Sequence, residues 1–263
     1  MALAELQIDT ATGVATIRVN RPEVLNAIDV PTAQAIRDAV LPLDGDARVR
    51  CIVLCGAGRA FIAGGDLARF ADDFDRAPEV LDGLLDALHP AILTLRRHRA
   101  PVLASVHGAV AGAGLSLMAA CDLAVAAQGT RFLVAYDRIG ASPDCGGTWF
   151  LPRVLGERRA AQFMYLSQGW DAETAERYGL VNEVVAADAL AARTQQLAQQ
   201  IASGPTSAFG AYKRLSRQGL DDDGLAAHLE QEREAWRAAT HTQDFREGVS
   251  AFLAKRPARF TGN

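Results

Sequence analysis

Lysine is almost missing from this chain: Lys213 and Lys255 are the only two in 263 residues, against 25 arginines. Acidic residues outnumber basic ones 31 to 27, for a net charge of −4. That balance gives no general basic footprint for nucleic acid or anionic lipid, so a small-molecule partner is expected, with no nucleic acid and no membrane. An RNA-binding or scaffolding role would need the arginines to gather in a local patch. Long apolar runs are missing too. The best candidate, Gly108 to Cys121, has 14 residues before Asp122 closes it, short of the roughly 20 that span a bilayer. The opening segment carries Glu5 and Asp9 where an export signal would need an apolar stretch, so a cytoplasmic protein is expected.

Cysteine is sparse, at positions 51, 55, 121 and 145. In the strand-like run "CIVLC", Cys51 and Cys55 would lie about 13 Å apart on an extended chain, too far to bridge. No histidine pair at finger spacing accompanies them, so neither a zinc site nor any other metal is expected. Cys145, ahead of a helix-like segment, has the placement of a nucleophile, but nothing else in the sequence singles out its sulfur.

Hydrophobic residues make up 49% of the chain, enough for a sizeable core. Strand-like runs at 13–20, 50–56, 101–108, 121–127 and 131–135 are interleaved with helical patterns at 31–43, with Pro31 at the start, and 79–98. This is the pattern of an α/β fold. Beyond about residue 156 every segment is helical except 179–185. The expected division is a core over 1–200 that holds the site and a helical region over 201–263. The amphipathic faces of that region suit either a partner subunit or a cap on the same chain.

Two stretches share one chemistry, "GRAFIAGGDLARF" (58–70) and "VHGAVAGAGLSL" (106–117). Each follows a strand and opens a helix, so each exposes backbone N–H groups that have no helical partner. Glycine lets a ligand approach that backbone closely. Neither stretch matches the phosphate-loop pattern, and "GAVAGAG" only echoes a dinucleotide fingerprint. Together they fit an oxyanion hole for a thioester enolate, with one donor from each turn. A lone acid stands in "IGASPDCGGTWFLPRVLG": Asp144, either a solvated turn carboxylate or an acid–base group.

In order, "RPEVLNAID", "GRAFIAGGDL", "APVLASVHGAVAGAGLSL" and "RFLVAYDRIGASPDCGGTWFLPRVLG" resemble successive motifs of the crotonase (enoyl-CoA hydratase/isomerase) superfamily over essentially the whole chain. Within it, "SPDCGGTWFLPRV" and the tail "DFREGVSAFLAKRPARFTG" most resemble the isomerases of bacterial phenylacetate breakdown. Those enzymes convert ring-1,2-epoxyphenylacetyl-CoA to an oxepin and also shift enoyl-CoA double bonds. The resemblance implies a spiral of ββα turns with a C-terminal helical trimerisation region, assembled as a trimer or a dimer of trimers. It implies an acyl-CoA thioester substrate and no separate cofactor. It also implies that the N–H groups of Ala63 and Gly112 hold the thioester oxygen, that Leu25, Ala27, Ala63, Asp66 and Leu67 line the CoA site, and that Lys255 meets CoA phosphates.

Hydratases of the superfamily carry two glutamates, at places that here hold Leu115 and Tyr136, so water addition by that route is not expected. Asp144 stands where the phenylacetate-type isomerases carry an aspartate, and one carboxylate beside an oxyanion hole suffices to move one proton. Enoyl-CoA hydration through another water-positioning group is one alternative, and the aryl-CoA dehalogenases supply another: they pair an aspartate at this place with a histidine resembling His89, the first attacking carbon and the second activating water. They carry tryptophan where this chain has Tyr136, which is expected to border the acyl pocket or donate a hydrogen bond there. Trp149 and Phe150 read as core, His98 and His107 as structural, and His228 and His241 as surface residues.

Overall fold

The computed structural model describes residues 2–166, 168–217 and 224–259. Ser167, Gln218 and the last residues of the tail motif, which belong to the helical and tail segments read above, lie outside them. In chain order the first half contains β1 (Ala4–Asp9), β2 (Val14–Val19), α1 (Val30–Val40), β3 (Cys51–Gly56), α2 (Ala68–Ala71), α3 (Ala77–Arg97), β4 (Val102–Val106), β5 (Ala109–Ala111), α4 (Ala113–Ala119), β6 (Leu123–Ala127) and β7 (Arg131–Leu133). There follow α5 (Gly147–Leu155), α6 (Glu157–Tyr165), β8 (Trp170–Asp171), α7 (Ala172–Arg177), β9 (Glu183–Val185), α8 (Leu190–Ser203), α9 (Thr206–Arg217), α10 (Gly224–Thr240) and α11 (Gln243–Leu253).

The larger sheet runs β1-β2-β3-β4-β6-β9, parallel throughout except for the β1–β2 hairpin. β1 is an addition to the strands read from the sequence. It alternates as an edge strand should, with Ala4, Leu6 and Ile8 on the core. Its central neighbours read instead as nearly continuous apolar runs, because both of their faces are covered. α1 and α3 cover one face, and α8 covers the other through Leu190, Ala198 and Ala202. α8 continues past residue 200 to Ser203.

A second, three-stranded sheet runs β5-β7-β8 and is prolonged by the isolated bridges Ile62–Val110 and Ile28–Gly65. Each long strand of the large sheet thus hands the chain to a short extended segment of the second layer and then to a helix. This repeated turn is the ββα spiral, and it carries both glycine-rich segments to one place.

α9 is clamped to the spiral by cations at the end of α3. The buried Lys213 ammonium donates to Leu95 O (2.9 Å) and Ala100 O (3.3 Å) and pairs with Asp122 at 2.8 Å. Arg217 joins the same carboxylate and donates to Arg96 O. α10 lies on α3, and α11 packs against residues 136–140. A Cβ on Gly248 would come within 2.6 Å of Ile139 Cα, so only glycine admits that contact. The last helices therefore cap their own chain. No helix among the described residues is long and apolar enough to cross a membrane.

Candidate active site

The segment 21–29 is pinned under the first glycine turn by Asn26, fully buried and left-handed (φ 59°). Its amide donates to the carbonyls of Ala57, Ala60 and Phe61 at 2.8–3.0 Å and its side-chain oxygen accepts from Arg21 N–H. Arg21 in turn donates to Ala27 O and pairs with Asp66 and Asp29. This clamp sets the register of the turn that follows.

That register corrects the donors read from the sequence. Ala63 N–H already donates to Leu25 O (3.1 Å) and Gly112 N–H to Leu133 O (3.2 Å). The free pair lies further along each turn. Ile28 N–H donates to Gly64 O and Asp66 N–H to Ile28 O, both at 2.8 Å, and a parallel bridge of that kind turns the N–H of Gly65 to the opposite side. Ala113 opens α4, where the first N–H groups have no helical acceptor. Among the described residues neither Gly65 nor Ala113 N–H bonds a backbone carbonyl, and both residues border one cavity. The two turns meet closely there: a Cβ on Gly112 (φ 49°) would lie 3.4 Å from Gly64 Cα and 3.9 Å from the Tyr136 ring.

The cavity holds about 210 Å³, and its lining is largely apolar, with Phe70, Leu85, Leu88, Leu133 and Trp236 among it. Among the described lining residues Asp144 is the only carboxylate. It is 7% exposed, and the Tyr136 hydroxyl donates to its Oδ1. Burial pushes the Asp144 carboxyl up from its ordinary value, opposed by bonds from Tyr136 and the Cys145 thiol. Burial, then the charge of Asp144, pushes the Tyr136 phenol well up, so it stays a donor. Ser116 bonds the same phenol.

Behind Asp144 the chain turns through two left-handed residues, Cys145 (φ 53°) and Gly146 (φ 81°), into α5. The start of α5 is capped from α10. Glu232 accepts from Gly146 N–H (2.6 Å), Thr148 N–H (2.8 Å) and the Thr148 hydroxyl. Burial raises this carboxyl to about 7. His228, read as a surface residue, is half-buried, packs edge-on to Trp149 and meets Thr148 Oγ1 at 2.6 Å.

Residues 9–263 match the family model for enoyl-CoA hydratase/isomerase. The chain belongs to that family. It is 38% identical over 251 residues to a 1,2-epoxyphenylacetyl-CoA isomerase of Escherichia coli, covering 95% of each chain. It is 39% identical over 266 residues to a probable enoyl-CoA hydratase of Rhodobacter capsulatus, covering all of both. Among solved structures, an enoyl-CoA hydratase from Mycobacterium avium subsp. paratuberculosis superposes with a TM-score of 0.85 at 29% identity, covering 99% of each chain. The fold is the crotonase spiral expected from the motifs.

Within the hydratase/isomerase frame, the remaining site residues fall into two groups. Leu67 and Tyr136 border the cavity, as Ala63 and Gly112 do through other atoms. Leu25, Ala27 and Asp66 lie outside the lining: Leu25 O accepts from Ala63 N–H, Ala27 O accepts from Arg21, and Asp66 pairs with Arg21. Moving the donor from 112 to 113 also moves the place three residues on, from Leu115 to Ser116. Leu115 is wholly in the core, and Ser116 reaches Tyr136; neither is a carboxylate. Lys255 is exposed beside an adjoining cavity of about 400 Å³, which shares Arg138 and Phe252 with the first.

His89 is not brought to Asp144. It lies outside the lining residues, and its Nδ1 faces Glu230 on α10 at 3.3 Å. Cys145 is fully buried, and burial pushes its thiol well up, which removes the thiolate a nucleophile needs. Besides Gly65 and Ala113, the structure adds Asn26 and Glu232 to the residues expected from the sequence. Asn26 lies within the quoted "RPEVLNAID" stretch; Glu232 carries no local signal at all.

Proposed function

We propose that the enzyme is an acyl-CoA isomerase that moves a double bond by proton transfer through Asp144. The carboxylate takes a proton from C2 of a 3-enoyl-CoA thioester. The electron pair delocalises toward the thioester oxygen, held by the Gly65 and Ala113 N–H groups, and the Asp144 carboxyl returns the proton at C4 to give the 2-enoyl-CoA. The same groups suit the rearrangement of ring-1,2-epoxyphenylacetyl-CoA to an oxepin. The observation that carries this reading is a single buried carboxylate with one oxygen tied to Tyr136, bordering an apolar cavity beside two unpaired N–H groups. A raised carboxyl can hold the abstracted proton until it is returned.

Leu25, Ala27, Leu67 and, at the mouth, Lys255 are proposed to hold CoA, the Lys255 ammonium meeting phosphate; Asp66 acts as a strut beneath them. No resident cofactor is proposed, since CoA arrives with the substrate. The region 201–263 is proposed to join copies into a trimer or a dimer of trimers. Tyr212 and Leu215, 74% and 58% exposed on α9, suit burial against a second copy. A cytoplasmic location fits a CoA-dependent reaction. Asp144→Asn is expected to abolish isomerisation while CoA-thioester binding, measured by calorimetry, stays nearly intact; lost binding with retained turnover would sink the assignment.

A further inference from the structure

We propose that Glu232 on α10 is a positioning residue for Asp144, holding the 144–146 turn in place through the first turn of α5 and so making the C-terminal region part of the active site. This rests on Asp144 as the proton carrier. Helices are normally capped by a serine, threonine, aspartate or asparagine at their own N-cap. The N-cap of α5 is Gly146, whose φ of 81° and whose contact with Phe150, 2.3 Å from where a Cβ would stand, exclude any side chain. The cap must come from elsewhere, and Glu232, 86 residues along the chain, supplies it by bonding Gly146 N–H and Thr148 N–H. Asp144 O accepts from Gly147 N–H at 2.9 Å. The residues that follow Asp144 are therefore pinned at both edges of the turn. Cys145, left-handed without being glycine, needs such support.

The same contact sets the local charge. The start of α5 is the positive end of a helix dipole, which by itself would favour ionised Asp144. Glu232 occupies that end, and the charge of Asp144 joins burial in disfavouring the ionised form of Glu232. The other groups facing Glu232 are His228, with Nε2 at 3.6 Å, Thr148, and the Cys145 thiol; Arg153 lies beyond His228. Glu232 does not border the cavity, so it acts through the turn and not on substrate.

The experiment compares Glu232→Gln and the milder Thr148→Val with the unmodified enzyme. It reads kcat and KM for 3-enoyl-CoA isomerisation and, without substrate, a difference-infrared titration of the Glu232 carboxyl, identified by its loss in Glu232→Gln and followed in Asp144→Asn. A displaced turn is expected to lower kcat about 10- to 100-fold in Glu232→Gln with KM within about twofold, and less in Thr148→Val. The Glu232 titration is expected to move to lower pH in Asp144→Asn. Unchanged kcat in a folded Glu232→Gln and an unmoved Glu232 titration in Asp144→Asn overturn the role of Glu232 and leave the isomerase reading standing. If the unmodified enzyme does not isomerise 3-enoyl-CoA, that reading fails by itself, and the titration still decides: a downward shift supports the coupling, no shift overturns it. If Glu232→Gln does not fold, Thr148→Val carries the kcat measurement, and an unchanged value there overturns the proposal.

Discussion

Two buried carboxylates stand on either side of one turn, and they are used in opposite ways. Asp144 is 7% exposed and Glu232 4%, and burial raises both. Asp144 accepts from one phenol, at Oδ1, and borders the cavity. Glu232 takes two backbone N–H groups and a hydroxyl and borders no part of it. Burial alone does not separate the two; their places do, since Asp144 borders the cavity where the proposed proton transfer would run and Glu232 is spent on the start of α5.

The largest effect that would break this contrast is expected at Asp144 itself. Asp144→Asn should lower kcat by about 10³-fold, within the range typical of a lost acid–base group, in a spectrophotometric isomerase assay. A variant that keeps more than a tenth of the activity would contradict the role. Next comes the Glu232 variant described above. Tyr136→Phe removes a donor that favours ionised Asp144, so the acid limb of the kcat/KM profile should move to higher pH and the rate fall by about tenfold; a limb that moves down would break the pairing.

Stability sharpens the other side of the comparison. The Glu232 carboxyl is raised from 4.5 to about 7, so its contribution to stability is complete below pH 4.5 and lost as pH rises through about 7. At about 1.4 kcal/mol per pH unit, the loss is about 3 kcal/mol. Denaturant melts at pH 5 and pH 8 should show the unmodified enzyme losing that stability relative to Glu232→Gln, and an equal loss in both would contradict it. The smallest effect is expected at His89: held on Glu230 away from the cavity, its replacement by glutamine should leave kcat within about twofold. A loss beyond tenfold would return the hydrolytic alternative.

The α/β order, the two glycine turns and Asp144 were legible in the sequence, because strand runs, helical spacing and turn residues are local signals. The donor register was not. "AFIAGGD" and "AVAGAG" offer several candidate N–H groups, and the choice between Ala63 and Gly65 is made by Asn26 and Leu25, some forty residues earlier. β1 alternates clearly, but its place as a strand is fixed by its pairing with β2, which only the assembled sheet shows. The direction in which the His89 ring faces and the reach of Glu232 to Gly146 are long-range outcomes of α10 packing. Neither leaves a mark in its own neighbourhood of the chain.

The most direct measurement is NMR of a 3-enoyl-CoA and, separately, a 2-enoyl-CoA incubated with the enzyme in deuterated water. The account predicts double-bond migration with deuterium at C2 or C4 and no 3-hydroxyacyl product, all of it lost in Asp144→Asn. A 3-hydroxyacyl product formed from the 2-enoyl-CoA would contradict it, since water would then be activated without a second carboxylate at the cavity.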